Sequence, residues 1–357
     1  MVDAPIKLLI AASGTGGHLF PAIALAQELP DYQIEWLGVP NRLETQLVPQ
    51  QYRLNTISVE GFQKGFGISS LLTVGKLVGS VLKVRKILQN GQFQGVFTTG
   101  GYIAGPAVIA ARSLGIPIVL HESNALPGKV TRFFGPWCNA VALGFEVAAK
   151  YLPRAKTIYT STPVRSEFLE PGVAPPLDLG IPENVPVIVV FGGSQGAVAI
   201  NKLVRECATA WFNVGAWVVH LTGDQDPEAE SLKHPQYVSL PFYNNMAALL
   251  QRANLAISRS GAGSLTELAV CGTPAILIPY PFAAEDHQTH NAQVFTSVGA
   301  ALMFQQRELT VEKLQTEVLR LLQSPQQLKA MGEKTKTIAP ADSAEKLAQL
   351  VREMVEK

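Results

Sequence analysis

Lys7-Leu8-Leu9-Ile10-Ala11-Ala12-Ser13-Gly14-Thr15-Gly16-Gly17-His18 decides the fold: an apolar run breaks into a glycine-rich turn, and Phe20-Pro21-Ala22 then opens a helical pattern. The same succession returns twice. Gly95–Phe97 leads into Thr98-Thr99-Gly100-Gly101-Tyr102, and Val187–Phe191 leads into Gly192-Gly193-Ser194-Gln195-Gly196. Glycine lets backbone N–H groups turn toward a ligand with no Cβ in the way, and the helix that follows adds a positive dipole end. One such turn is no more than a strand-to-helix connection. Three of them, two in the first half and one in the second, point to a protein that holds phosphates in two places.

Apolar runs alternate with helical patterns along the whole chain. Ile6–Ala11, Ile34–Leu37, Val96–Thr98, Ile116–Leu120 and Ala140–Leu143 are predicted strands of the first half. Val187–Phe191, Trp217–Leu221, Tyr237–Leu240, Leu255–Ser258 and Ala275–Ile278 repeat the pattern in the second. These runs are continuously apolar rather than alternating, as a parallel sheet covered on both faces requires. Two consecutive βα arrays predict an α/β protein of two Rossmann-like, doubly wound domains. The joint is placed near Ser161–Arg165, which gives one domain of 1–163 and another of 164–340. The helix-like tail, 341–357, is expected to pack back on the first domain. Pro171–Pro186 is rich in proline and reads as a surface loop.

A chain of 357 residues, 47% of them hydrophobic, has material for two cores of ordinary size. The net charge of +1 exerts no global pull on nucleic acid. The halves differ, however: 14 Lys+Arg against 8 Asp+Glu over 1–163 give +6, and 15 against 20 over 164–357 give −5. A basic first half fits an anionic partner. Cys138, Cys207 and Cys271 stand alone, without CxxC spacing, and read as reduced core residues. The N-terminus carries one early lysine and a short β-like run instead of a signal-peptide pattern, and no stretch approaches the length of an apolar membrane span. On these grounds the chain reads as cytosolic.

One segment breaks the α/β rhythm. Leu71, Leu72, Val74, Leu77, Val78, Val81 and Leu82 share a helical stretch with Lys76, Lys83, Arg85 and Lys86, and the apolar residues cover more than one face. Two readings stand: a core helix with a solvated basic edge, or an interfacial helix around 71–86 lying on anionic lipid.

Polar constellations follow the predicted strands. His18 ends the first glycine turn, where a second turn of the same domain could converge on it. An imidazole there suits proton transfer from a hydroxyl, or it only bonds its own loop. His121-Glu122-Ser123-Asn124 and Pro127-Gly128 follow the strand Ile116–Leu120, at the sheet edge where open α/β folds bind ligands, and suggest a sugar-hydroxyl loop. Ser258-Arg259-Ser260-Gly261-Ala262-Gly263-Ser264-Leu265-Thr266-Glu267 again runs strand, small-residue turn, helix. Its N–H groups suit a diphosphate, and Glu267 is either an acceptor for both ribose hydroxyls or a structural acid near a helix start. The loop from Pro279 to Phe282 and the run Glu285-Asp286-His287-Gln288-Thr289-His290-Asn291 add amide, acid and imidazole groups. Asp224-Gln225-Asp226 has the DxD form of a metal–diphosphate site but sits in an acidic stretch that reads as an exposed loop. His287 and His290 have no second cluster to complete a zinc site. No metal site is expected.

Taken in order, Gly14-Thr15-Gly16-Gly17-His18, Thr99-Gly100-Gly101-Tyr102, His121-Glu122-Ser123-Asn124, Pro163-Val164-Arg165, Gly192-Gly193-Ser194-Gln195-Gly196-Ala197, Ser260-Gly261-Ala262 and Asp286-His287-Gln288 form one set. The set resembles the bacterial family 28 glycosyltransferases that add N-acetylglucosamine to undecaprenyl-diphospho-muramoyl-pentapeptide, the lipid-linked peptidoglycan precursor. The match runs from about Lys7 to beyond Asn291. It implies a GT-B fold of two domains facing across a cleft, the first binding the lipid diphosphate and the membrane, the second binding UDP-N-acetylglucosamine. It further implies an inverting transfer to the muramoyl C4 hydroxyl, converting lipid I to lipid II, with no metal or other cofactor. The implied location is peripheral, on the cytoplasmic side of the cell membrane, with a cell-wall synthesis complex as a partner.

Carried over by motif, the implied donor contacts are Thr15, Gly16, Gly17, Asn124, Arg165, Ser194, Tyr243, Ala262, Gly263, Ser264, Leu265, Thr266, Glu267 and Gln288. Gly14, Gly100 and Gly101 would hold the acceptor's diphosphate, and Tyr102, Glu122 and Asn201 match positions on which the family's activity depends. The general base is either His18 or Glu122. Departures from the family pattern are Thr162, where Asn is frequent before Pro163-Val164-Arg165; Thr131, where Asn is frequent; and Val198, where a basic residue is frequent. Rivals are another GT-B enzyme (a glycolipid synthase or a UDP-N-acetylglucosamine epimerase) and a non-catalytic UDP-sugar-binding scaffold. The paired glycine turns of the first domain argue for a diphosphate acceptor against the former; the presence of His18 and Glu267 argues against the latter.

Overall fold

The computed structural model describes residues 5–59, 68–169, 172–193 and 197–356, with 68–74 as backbone alone. The chain divides into two compact units: Met1–Pro163 with Asp342–Lys357, and Val164–Ala341. In the first, seven strands form one sheet: β1 (Lys7–Ala11), β2 (Gln33–Gly38), β3 (Arg53–Thr56), β4 (Gly95–Thr98), β5 (Ile118–Glu122), β6 (Ala140–Leu143) and β7 (Thr157–Tyr159). All neighbours are parallel, in the order β3-β2-β1-β4-β5-β6-β7.

Strand side chains alternate between the two faces, and each face has its own core. Leu8 and Ile10 face one side with Leu19, Leu25 and Trp36; Leu9 and Ala11 face the other with Val84, Leu88, Ala107 and Val108. Helix Gly16–Gln27 therefore covers one face, while helices Ile68–Gly91 and Ala104–Ser113 cover the other. The tail forms the helix Ser343–Val355, whose Leu347, Ala348, Leu350 and Val351 complete the first of these cores. It sits so close to β4 that a Cβ on Gly95 would come within 2.5 Å of Val355 Cγ2. Arg352 pairs with Asp31 through both guanidinium nitrogens, and Tyr32 donates to Glu356 at 2.8 Å.

The second unit carries β8 (Val187–Phe191), β9 (Trp217–Leu221), β10 (Tyr237–Leu240), β11 (Leu255–Ser258), β12 (Ala275–Leu277) and β13 (Ala301–Met303). They too are parallel, in the order β10-β9-β8-β11-β12-β13. Ile188 and Val190 pack on the helices Val198–Phe212 and Val311–Leu322 through Val204, Trp211, Leu314 and Val318.

The doubly wound α/β architecture agrees with the periodicity of the sequence. Three strands, β3, β7 and β13, do not show in the apolar runs. Each lies at a sheet edge and is only partly buried, so its sequence lacks the continuous apolar signature of a central strand. The fifth strand is also shifted: Ile118–Glu122 makes His121 and Glu122 its last two residues, not the start of the loop.

Candidate functional site

In a doubly wound sheet the strand order reverses at one place, and the loops leaving those two strands open a crevice at their carboxyl ends. In the first unit that place lies between β1 and β4, and the turns that follow them are the first two glycine motifs. Gly14, Gly100 and Gly101 have φ of 106°, 84° and 70°, which Cβ-bearing residues rarely adopt. Thr15 is the N-cap of helix Gly16–Gln27, so the N–H groups of Gly16 and Gly17 have no acceptor within the helix. His18 joins the two turns: its Nδ1 lies 2.7 Å from the Thr99 carbonyl oxygen. A carbonyl can only accept, so Nδ1 carries the proton, and the neutral ring keeps its lone pair on Nε2. That nitrogen faces the second turn, where a Cβ on Gly101 would stand 3.8 Å from it. Tyr102, next in the chain, is 48% exposed.

Glu122 is buried, and its carboxylate is fully occupied. Oε1 accepts from Asn124 N at 3.0 Å and Asn124 Nδ2 at 3.1 Å; Oε2 accepts from Gly128 N at 3.0 Å and Thr131 Oγ1 at 2.6 Å. Four donors fold the 122–131 loop around one acid. Thr131, where the family pattern often has Asn, keeps the donor that this arrangement needs. His121 is buried as well, with Nε2 at 3.1 Å from the Ser161 carbonyl and Nδ1 at 3.3 Å from Ser123 Oγ. Burial pushes its imidazole down to about 4, so it is neutral near pH 7 and acts as a fixed donor. It supports Ser161, a buried residue held at φ 62°.

The second unit reverses its strand order between β8 and β11, and the glycine turns again leave those two strands. Ser194, with Gln195 and Gly196, lies outside the described residues. After β11, Gly261 caps the helix Ala262–Cys271. Gln288 ties that turn to the next loop: its Oε1 accepts from Ser260 N at 3.2 Å and Tyr280 N at 2.9 Å, while Ser260 Oγ donates to the Gln288 carbonyl at 2.8 Å. Asn291 Nδ2 donates to the Ser260 carbonyl at 3.1 Å. With its oxygen committed, the Gln288 amide can offer a ligand only its Nε2 protons. Glu285 and Asp286, both in the left-handed region at φ 52° and 55°, turn the chain just before it. Such strain persists where surrounding structure over-determines it.

Not every residue of the Ala262–Glu267 motif can face a ligand through its side chain. Leu265 is fully buried, and Thr266 Oγ1 donates back to the Ala262 carbonyl at 2.9 Å. Backbone N–H groups of Gly263 and Ser264 and the side chains of Ser264 and Glu267 remain. Glu267 is half-buried, and its carboxyl is pushed up to about 7: burial raises it, the Arg165 charge opposes that, and Glu167 adds to it. Arg165 itself pairs with Glu167 at 2.9 Å and lies over the Phe168 ring. Tyr243 is engaged elsewhere, donating to Asp178 Oδ1 at 2.6 Å; burial and that carboxylate push its hydroxyl up to about 12.

Two polar side chains of the second unit are drawn inside it. Asn201, singled out above for its match to a position on which the family's activity depends, is fully buried in the second unit; its Nδ2 donates to the Thr222 carbonyl at 2.8 Å and Asp226 Oδ2 at 2.7 Å, and its Oδ1 accepts from His220 Nε2 at 2.9 Å. It is a core strut of that unit. The acidic stretch is a turn with Asp224, Gln225 and Glu228 exposed, as expected, but the Asp226 side chain turns inward and pairs with buried Arg205 at 2.7 Å. Burial works against its ionisation, yet Arg205 and Asn201 overcome this and hold the carboxyl below the usual range. A carboxylate so engaged is not free to ligate a metal.

Along helix Ile68–Gly91 the described side chains divide between a buried face and an exposed one. Val84 and Leu88 are core, whereas Val78 and Leu82, one turn apart, are 52% and 60% exposed beside Lys76, Lys83 and Lys86. The side chains of Leu71, Leu72 and Val74 lie outside the described residues. Among those described, no helix is long and apolar enough to cross a membrane, and no cluster of His, Cys, Asp or Glu could hold a metal ion.

Sequence reading missed Glu44, a buried acid at the end of the loop after β2, where the short helix Glu44–Leu47 starts; it accepts hydrogen bonds from the first glycine turn. The one signal for it is position: the loop leaves a strand next to β1, on the same carboxyl edge.

Residues 8–143 match the glycosyltransferase family 28 N-terminal domain and 187–349 the glycosyltransferase family 28 C-terminal domain. The chain is 78% identical over 356 residues, 100% of both chains, to the UDP-N-acetylglucosamine–N-acetylmuramyl-(pentapeptide) pyrophosphoryl-undecaprenol N-acetylglucosamine transferase of Nostoc punctiforme. It is 76% identical over 357 residues, again 100% of both, to the transferase of that name from Nostoc sp.. The crystal structure of Acinetobacter baumannii MurG superimposes with a TM-score of 0.78 at 28% identity, over 98% of this chain and 100% of that one. A chain with these glycine turns at both switch points and this full-length similarity belongs to the family 28 glycosyltransferases and has their GT-B fold.

Proposed function

We propose that the protein transfers N-acetylglucosamine from its UDP form to the C4 hydroxyl of the muramoyl sugar in undecaprenyl-diphospho-muramoyl-pentapeptide, making lipid II from lipid I with inversion at the anomeric carbon. The observation that carries this reading is the His18–Thr99 bond, which commits Nδ1 as donor and turns Nε2, the acceptor of the neutral tautomer, toward the second glycine turn. In the reaction His18 Nε2 takes the proton of the C4 hydroxyl as that oxygen attacks the anomeric carbon. The bond to UDP breaks, and charge accumulates on the leaving diphosphate. Backbone N–H groups at the start of helix Ala262–Cys271 and the Arg165 guanidinium stabilise that charge, the work a metal does in other enzymes. Glu267 accepts the ribose hydroxyls, and Gln288 donates from Nε2. Glu122 is assigned a positioning role, because its carboxylate is already saturated by its own loop. The test is transfer of radiolabelled N-acetylglucosamine from UDP to a short-chain lipid-diphosphate muramoyl-pentapeptide in the presence of EDTA. Labelled disaccharide-lipid is the expected product; tight UDP-sugar binding without product would refute the acceptor assignment.

The first unit is proposed to serve the acceptor and to rest on anionic lipid through Val78, Leu82 and the neighbouring lysines. Each basic residue at such a surface adds about 1 kcal/mol. Co-sedimentation with phosphatidylglycerol vesicles is expected and should be lost in V78E/L82E. Equal sedimentation of both proteins would remove this face from consideration.

A further inference from the structure

Glu44 is a buried acid to which the proposed reaction gives no part. Its Oε1 accepts from Ser13 Oγ at 2.5 Å and Val39 N at 2.6 Å, and its Oε2 from Gly14 N at 3.2 Å. The acid thus grips the first glycine turn from behind and binds it to the loop after β2. Gly38 makes the room, since a Cβ there would come within 2.7 Å of Glu44 Cγ. Two residues before the acid, Arg42 is exposed, and a Cβ on Gly14 would stand 4.0 Å from its Nη1. Among the described residues no carboxylate lies within ion-pair distance of that guanidinium. Asn41, at φ 59°, reverses the backbone between them and β2.

The loop therefore separates its charges: the acid points inward and the base stands beside the turn. This separation has an electrostatic meaning. A carboxylate behind a phosphate-binding turn repels the phosphate, and in a low-dielectric surrounding that repulsion is not screened away. A guanidinium on the ligand side reverses the sign where the anion arrives and offers a planar fork that matches phosphate oxygens.

We infer that residues 39–44 form a third wall of the acceptor's diphosphate site. Arg42 contacts the diphosphate, and Glu44 is a positioning residue that fixes Ser13 and Gly14 for it. The inference rests on the transferase reading given above. Its test is steady-state kinetics with the short-chain lipid-diphosphate acceptor, together with inorganic pyrophosphate as a competitor of that acceptor. Arg42→Ala is expected to raise the acceptor KM about tenfold, a loss of roughly 1.4 kcal/mol of binding, with the UDP-N-acetylglucosamine KM unchanged and pyrophosphate inhibition weakened in parallel. Arg42→Lys should recover part of the loss, because it keeps the charge and loses the fork. Glu44→Gln should raise the same KM if it folds, as its thermal unfolding would show; if it does not fold, Arg42→Ala alone decides. An acceptor KM and a pyrophosphate inhibition constant both unchanged in Arg42→Ala overturn the inference. Arg42-dependent pyrophosphate binding in a protein that makes no disaccharide-lipid would instead uphold this anion site and defeat the transferase reading.

Discussion

His18→Ala should lower turnover by about 10²–10⁴-fold, the usual contribution of a positioned general base, while the affinity for UDP-N-acetylglucosamine stays close to that of the unaltered protein. The reasoning is geometric. The imidazole is fixed by Nδ1 on the Thr99 carbonyl, so nearly all of its contribution is the lone pair on Nε2. Helix Gly16–Gln27 keeps its own backbone bonds without the ring, Glu44 still holds Ser13 and Gly14, and Thr98 Oγ1 still accepts from Gly100 N, so only the single bond between the turns is lost. Glu122→Gln is the matching control. Its amide cannot accept on both atoms as the carboxylate does, so the loop 122–131 loosens and the acceptor KM suffers more than kcat. Isothermal titration with the donor, beside single-turnover transfer rates, separates the two. An equal loss of donor binding and of turnover in His18→Ala would end the case for His18 as base.

The second large effect is expected at Glu267. Removing its carboxylate in Glu267→Ala takes away two charge-assisted hydrogen bonds to a ribose, each worth about 1.5–3 kcal/mol, so donor affinity should fall by at least about tenfold. A pH signature accompanies this. The carboxyl sits at about 7 in the free protein because burial disfavours its anion. A group raised in this way costs the fold stability as pH climbs from the ordinary carboxylate range to about 7. A ribose diol donates to the anion and offsets that cost, so the affinity for UDP-N-acetylglucosamine should rise as pH increases through about 7 and then level off. In Glu267→Gln the affinity should be independent of pH over the same interval. A pH-independent wild-type affinity, or an unchanged one in Glu267→Ala, would refute the ribose contact.

The central strands could be read from local pattern because each is buried on both faces: Val187–Phe191 can hardly be anything but a covered strand. Strand order could not, since nothing within a run of five apolar residues says which strand lies beside it. The two switch points, to which both proposed sites are assigned, emerge only when β4 is found next to β1 and β11 next to β8. Glycine motifs mark the same loops independently, which is why the His18 and Ser260–Glu267 regions were legible. The inward settings of Asn201, Asp226 and Glu44 do not show in the sequence, for a common reason. Polar residues in helices and loops are mostly solvated, and the sequence around them does not show that a partner from a distant strand or helix has drawn them inside. Arg205 lies 21 residues from Asp226, and Ser13 lies 31 from Glu44.

The helix Ser343–Val355 has a consequence for how the protein is made. The first sheet is finished early in synthesis, yet the apolar surface meant for Leu347 and Val351 stays uncovered until the ribosome has supplied nearly two hundred further residues. At about 5–20 residues per second that is a wait of roughly 10–40 seconds. During it the second unit can fold completely, since its segment is continuous in the chain, while the first remains a nascent body with one open side. A truncated transcript ending between Ala341 and that helix would release a chain whose second unit is whole and whose first unit is prone to aggregate.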